Sequence, residues 1–133
     1  MPYTINRFNG TQVAVVSDGT VDNTIDLKLI GKNYAGYGEI QNENFVFLLE
    51  NFSNTTPPPR PSVGQIWFDA GNNKLKFRDS NLRWRTTGGA EVSDTEPAGL
   101  TTGDFWYNTA SRQLFARDLN LTGSDRFVLI GPQ

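Results

Sequence analysis

Apolar and polar residues alternate in short runs along most of the chain, and only once does their spacing turn helical. Tyr3-Thr4-Ile5, Thr11-Gln12-Val13-Ala14-Val15-Val16 and Thr24-Ile25-Asp26-Leu27-Lys28-Leu29-Ile30 read as short strands, punctuated by Asn9-Gly10 and Asp18-Gly19, pairs that supply the positive-φ positions of hairpin turns. From Glu39 to Phe52 the period changes. Ile40, Phe45, Leu48, Leu49 and Phe52 recur at helical spacing, and Glu39 and Glu43 lie where the positive end of a helix dipole favours them. The run Ser53-Asn54-Thr55-Thr56-Pro57-Pro58-Pro59-Arg60-Pro61 follows. Its prolines remove backbone donors and hold an extended form, which predicts a semi-rigid linker over 54–62.

Beyond the linker the sequence repeats itself. Gly64-Gln65-Ile66-Trp67-Phe68-Asp69 aligns with Gly103-Asp104-Phe105-Trp106-Tyr107-Asn108, and Lys74-Leu75-Lys76-Phe77-Arg78-Asp79 with Gln113-Leu114-Phe115-Ala116-Arg117-Asp118, both at an offset of 39 residues and without a gap. A third strand is expected in each copy, over Leu82-Arg83-Trp84-Arg85-Thr86 and over Arg126-Phe127-Val128-Leu129-Ile130. Four extra residues around Leu121-Thr122-Gly123-Ser124 lengthen the second copy's last loop. The fold expected is mainly β with one short helix. A β-plus-helix lobe over 1–53, for docking or oligomerisation, precedes two tandem three-stranded β-meanders over 63–88 and 89–133. One meander has too little area to be stable alone, so the pair is expected to bury its aromatic faces against itself, the helical lobe or other chains.

Composition sharpens this picture. Of 133 residues 37% are hydrophobic, with three Trp, four Tyr and nine Phe, so rings must fill much of the core, which favours sheets over bundles. A net charge of −2 gives no global field to recruit nucleic acid or an anionic membrane. The absence of Cys and His excludes disulfides, thiolate zinc sites and a Ser-His-Asp triad, and no nucleotide-binding glycine motif occurs. The start, Met1-Pro2-Tyr3-Thr4, shows no export signal, and no apolar run is long enough to span a bilayer. The expectation is a soluble chain with no cofactor or metal.

Two stretches carry a family resemblance. The segment from Ile25 to Phe52, with Gly31-Lys32-Asn33-Tyr34-Ala35-Gly36-Tyr37-Gly38 at its centre, and the twice-occurring Gly-x-φ-Trp-aromatic meanders resemble modules of tail-fibre and other structural virion proteins of large contractile-tailed bacteriophages, cyanophages among them. Together they span residues 25–130. The resemblance implies a non-enzymatic virion component, assembled in the bacterial host cytoplasm, that attaches to other virion proteins at the tail or baseplate rather than the capsid, often as a homotrimer. It brings no catalytic or cofactor residues. Such modules usually lead into a shaft or a receptor-binding tip, whereas this chain closes on Gly131-Pro132-Gln133, so docking is expected ahead of direct receptor binding, with a host surface glycan as the secondary partner.

Candidate sites follow from the same residues. Trp67, Phe68, Trp84, Trp106, Tyr107 and Phe127 of the meanders, with Phe45, Leu48, Leu49 and Phe52 of the helix, are the expected packing or interface residues. Lys74, Lys76 and Arg78 alternate along one strand, and Arg83 and Arg85 flank Trp84. Such a basic strip beside a ring suits a subunit contact or an anionic ligand, although alternation with Leu75 and Phe77 is equally the pattern of a half-buried strand. Among the carboxylates Glu39, Glu43, Asp69, Asp79, Asp94, Glu96, Asp104 and Asp118, Asp79 and Asp118 hold the same turn position in both repeats, where Asp caps backbone amides. Asp18, Asp22 and Asp26 sit four residues apart but lack the residue order of a calcium loop, and a polar hairpin turn is expected.

Overall fold

The computed structural model describes residues 1–122 and 126–131, so the extra residues Gly123 and Ser124 and the final Pro132 and Gln133 lie outside the described part. The chain is mainly β with a single helix. It divides into two compact units, Met1–Arg78 and Asp79–Gln133.

In the first unit β1 (Tyr3–Asn6) and β2 (Gln12–Val16) form an antiparallel hairpin, its turn closed by Gly10 at φ 93°. The inward side chains of β2, Ala14 and Val16, are buried, as period-2 alternation requires. The expected strand over 24–30 shortens to Leu29–Ile30 (β4), which pairs with Val21–Asp22 (β3). Asp22 Oδ1 accepts the Thr24 amide (2.8 Å), turning the chain locally, and the Asp26 carboxylate accepts the Arg60 amide (2.9 Å) and the Gln65 side-chain amide (3.0 Å), bonds to a distant segment that take the place of strand pairing. Gly31 is fixed by crowding: a Cβ there would lie 2.2 Å from the Ser17 carbonyl oxygen.

The helix α1 spans Tyr37–Leu49. It stops earlier than its apolar spacing suggests because Asn51 (φ 52°) and Phe52 (φ 54°) enter the left-handed region. The Asn51 amide bonds the Leu48 carbonyl (3.1 Å) and the Phe52 amide the Phe47 carbonyl (2.8 Å), the paired bonds of a Schellman ending. The proline run then lies within the first unit and is tied down at both ends. Asn54 bridges in parallel to Asp69, Arg60 bonds Asp26, and the Ser62 hydroxyl accepts from Arg7 (3.0 Å). Strands β5 (Ile66–Asp69) and β6 (Lys74–Arg78) form an antiparallel hairpin with Trp67 opposite Lys76.

The second unit contains β7 (Trp84–Thr86), at the place expected for a third strand, followed by a four-stranded sheet of β8 (Glu91–Ser93), β9 (Phe105–Asn108), β10 (Gln113–Arg117) and β11 (Phe127–Ile130), in spatial order β11-β10-β9-β8. β9, β10 and β11 are the expected second meander. β8, parallel to β9, is an addition to it. The core here is Leu100 and Trp106, with the Trp106 ring stacked on Phe115 (5.2 Å, 27°) and tilted against Phe127 (5.2 Å, 60°).

Candidate functional site

The duplicated tryptophans are internal fixings. Trp67 is 4% exposed and its Nε1–H donates to the Asn54 carbonyl (3.3 Å); Trp106 is 8% exposed and donates to the Ser93 carbonyl (3.2 Å). Asn54 and Ser93 are themselves 39 residues apart, so the repeat includes a preceding strap as well as the hairpin. Ala70 donates to Asn54, and Thr109, its counterpart, to Ser93. The match continues around the turn. Asp69 Oδ1 accepts the amides of Gly71 and Asn72, and Asn108 Oδ1 those of Ala110 and Ser111. Gln65 caps the Ser62 amide and Asp104 the Thr101 amide, while Gly64 and Gly103 donate to Arg78 and Arg117. Each ring is held at its polar edge by a carbonyl, and a side chain of the paired strand lies over its face, Lys76 over Trp67 and Phe115 over Trp106.

The other expected aromatics are less enclosed. Phe68, Trp84 and Phe127 are half-buried, the last with the Arg117 guanidinium 5.7 Å from its ring, and Tyr107 is exposed.

The basic residues fall in both units, Lys74, Lys76 and Arg78 in the first and Arg83 and Arg85 in the second. Lys76 turns inward. Its Nζ lies 2.9 Å from Asp69 Oδ2 and 5.3 Å from the centre of the Trp67 ring. Arg85 pairs with Asp104 and lies 3.7 Å from Asp79. Arg83 is exposed, its guanidinium lying against Gly99, and Lys74 and Arg78 are half-buried. Lys76 and Arg85 therefore serve neighbouring carboxylates.

Those carboxylates carry the main electrostatic shifts. The Asn72 side-chain amide, helped by Lys76 and working against burial, holds the Asp69 carboxyl down at about 2. At Asp104 burial pushes the pKa up, but the Thr101 amide and hydroxyl and the Arg85 guanidinium outweigh it and leave the group below its ordinary value. Asp79 caps the amides of Asn81 and Arg83, and Asp118 that of Asn120, the turn role their shared position predicts. Asp94 is exposed and Glu96 pairs with Arg126 (2.6 Å). Asp18, Asp22 and Asp26 go separate ways, to the chain's amino terminus, to Thr24 and to the Arg60–Gln65 segment. Among the described residues no three His, Cys, Asp or Glu side chains gather to hold a metal ion, and no helix is long and apolar enough to cross a membrane.

α1 carries one cluster of exposed apolar side chains. No residue of this helix is fully buried. Ile40, Asn44 and Phe47 are half-buried on the side facing the unit, whereas Tyr37, Phe45, Val46, Leu48 and Leu49 are between 48% and 82% exposed. Of the expected helical residues, Phe45, Leu48 and Leu49 are thus on the outside, and Phe52 is half-buried beyond the helix end. Asn44 is the anchor that apolar spacing does not reveal. Its side chain accepts from the Lys28 amide (3.1 Å) and donates to the Lys28 carbonyl (2.8 Å), clamping α1 to the segment before β4. Beside the helix runs a groove of about 840 Å³, walled by Tyr3, Leu29, Ile30, Tyr34, Phe45 and Leu48, with Lys28 and Lys32 at its edge.

Fold and site define a small, mainly β chain with one helix, whose aromatic and charged pairs are largely spent on its own hairpins. Comparison with protein-family models, with curated proteins and with solved structures returns no match.

Proposed function

We propose that this chain is a non-enzymatic structural component of a bacteriophage virion, a tail-fibre or baseplate attachment module that works through oligomerisation and contacts with other virion proteins. The observation that supports the reading is the imbalance of apolar surface. Among the described residues only Ala14, Val16, Trp67, Leu100 and Trp106 are buried apolar residues, while large apolar side chains are exposed on every part of the chain, from Tyr3 and Phe8 through Phe45 and Leu49 to Val92, Phe105, Val128 and Ile130. Apolar surface left on this scale is covered in subunits of an assembly by neighbouring chains. The sequence resemblance supplies the kind of assembly.

Immunogold or cryo-electron microscopy of intact phage particles tests the reading. Label at fibres or baseplate is the expected result. Label confined to the heads replaces the attachment role with capsid decoration, and absence from particles removes the virion reading altogether.

A further inference from the structure

At 100° per residue α1 presents different surfaces around its circumference. One flank, with Tyr37, Gln41, Phe45 and Leu48, forms a wall of the groove, whose lining includes Lys28 and Lys32 and no carboxylate. The opposite flank carries Glu39, Glu43 and Glu50, all exposed. Between the flanks, pointing away from the unit, runs an apolar crest of Phe45, Leu49 and Val46, which are 58%, 82% and 48% exposed.

A crest with a basic flank on one side and an acidic flank on the other is complementary to itself in one orientation only. Two copies meeting crest to crest with antiparallel helices set like flanks against each other. With parallel helices, related by a rotation axis running along them, each acidic flank faces a basic one. Tyr3, Tyr37, Phe45, Val46, Leu48 and Leu49 are each 44% or more exposed and together present on the order of 700 Å² of surface, comparable to the roughly 800 Å² per partner of a standard interface.

We infer that the crest of α1 and the groove beside it are a self-association surface occupied by a second copy of this chain, with α1 helices parallel and Glu39 and Glu43 of one copy approaching Lys28 and Lys32 of the next. The biological sense of the contact rests on the structural-subunit reading, but the contact itself is a property of the purified chain.

Light scattering on the full-length protein over a range of concentrations gives the first test, and a mass above that of one chain is expected. Leu49→Asp, at a site already 82% exposed, leaves the circular dichroism unchanged and weakens association at least tenfold. Lys32→Glu and Glu43→Lys each weaken it, and the two combined in one chain restore much of the loss. The natural chain has no cysteine, so Gly38→Cys, where a new Cβ meets nothing within 4 Å, gives a single cross-linking probe. Parallel helices bring two such residues together and yield a covalent dimer under mild oxidation, whereas antiparallel helices hold them at opposite ends. A mass of one chain at all concentrations, indifference to Leu49→Asp, or charge reversals that add instead of compensating overturns the inference. A monomeric chain found on phage tails would refute this contact while leaving the virion reading intact; an associating chain absent from particles would do the reverse.

Discussion

Lys76 and Phe115 occupy the same position in the two copies of the repeat, and each covers a tryptophan, at 5.3 Å from Trp67 and 5.2 Å from Trp106. Their partners differ to match: Asp69 neutralises the lysine, and neutral Asn108 stands where no cation needs an anion. Lys76→Phe alone therefore strands the buried Asp69 carboxylate without its counter-charge and is expected to cost about 1–3 kcal/mol. Adding Asp69→Asn, which recreates the pairing of the second copy, is expected to recover most of that loss, and urea denaturation of the two single variants and the double variant measures the coupling. Asp69 also predicts an acid limb. Its carboxyl titrates at about 2 in the folded chain against 3.8 ordinarily, so its contribution is fully present above about pH 4 and is lost as pH falls toward 2. A melting-temperature profile of the Asp69→Asn variant should fall less steeply across that window than the natural chain's, and an unchanged slope would remove Asp69 from the account.

Among elements, α1 depends on a polar clamp more than on apolar burial. Asn44→Ala removes both bonds to the Lys28 backbone and is expected to destabilise the first unit by about 1–3 kcal/mol, measurable as faster amide hydrogen exchange along the helix. This is why the sequence announces the helix but not its seating. Apolar spacing groups Ile40 with Phe45, Leu48, Leu49 and Phe52, yet only Ile40 of these turns toward the unit within the helix, since periodicity gives no weight to an asparagine that bonds backbone. The hairpins were far more legible. In β5, β6, β9 and β10 the alternation, the aromatic positions and the turn residues all agree, so local preference and tertiary pairing select the same register. The strand expected over 24–30 is cut short where Asp22 caps a local turn and Asp26 is engaged by the distant Arg60 amide. Glu91-Val92-Ser93 was too short to read as a strand by itself, though its 39-residue spacing from the Asn54 strap was an available signal. At the far edge of the same sheet, β11 carries exposed Val128 and Ile130. Val128→Lys is expected to change stability by less than about 0.5 kcal/mol and to reduce turbidity on heating, because a charge on an outer strand discourages edge-to-edge pairing.

For the whole molecule, few of the candidate side chains converge on a common pocket. Trp67 and Trp106 are spent on packing, Lys76 and Arg85 on carboxylates, and Phe45, Leu48 and Leu49 are left outside. Sequence patterning made the aromatic positions visible but could not assign them, because an inward Trp and an outward Phe have the same apolar signature until the neighbouring chain segments are in place. Coverage of the outer residues by other chains has a thermodynamic signature. The unfolding midpoint of the natural protein is expected to rise with protein concentration, by mass action, and that of Leu49→Asp to rise less over the same range. Scanning calorimetry at two concentrations separates the two cases.

The strap, hairpin and indole bond recurring at a fixed spacing have a consequence for descent. Because each tile closes on itself through backbone atoms, a ring nitrogen and a few turn caps, the residue over the ring can change when its partner changes with it, as lysine with Asp69 in one tile and phenylalanine with Asn108 in the other show within a single chain. A lineage built on this plan can add, lose or exchange tiles as whole cassettes, altering what its surface meets while inheriting the scaffold unchanged.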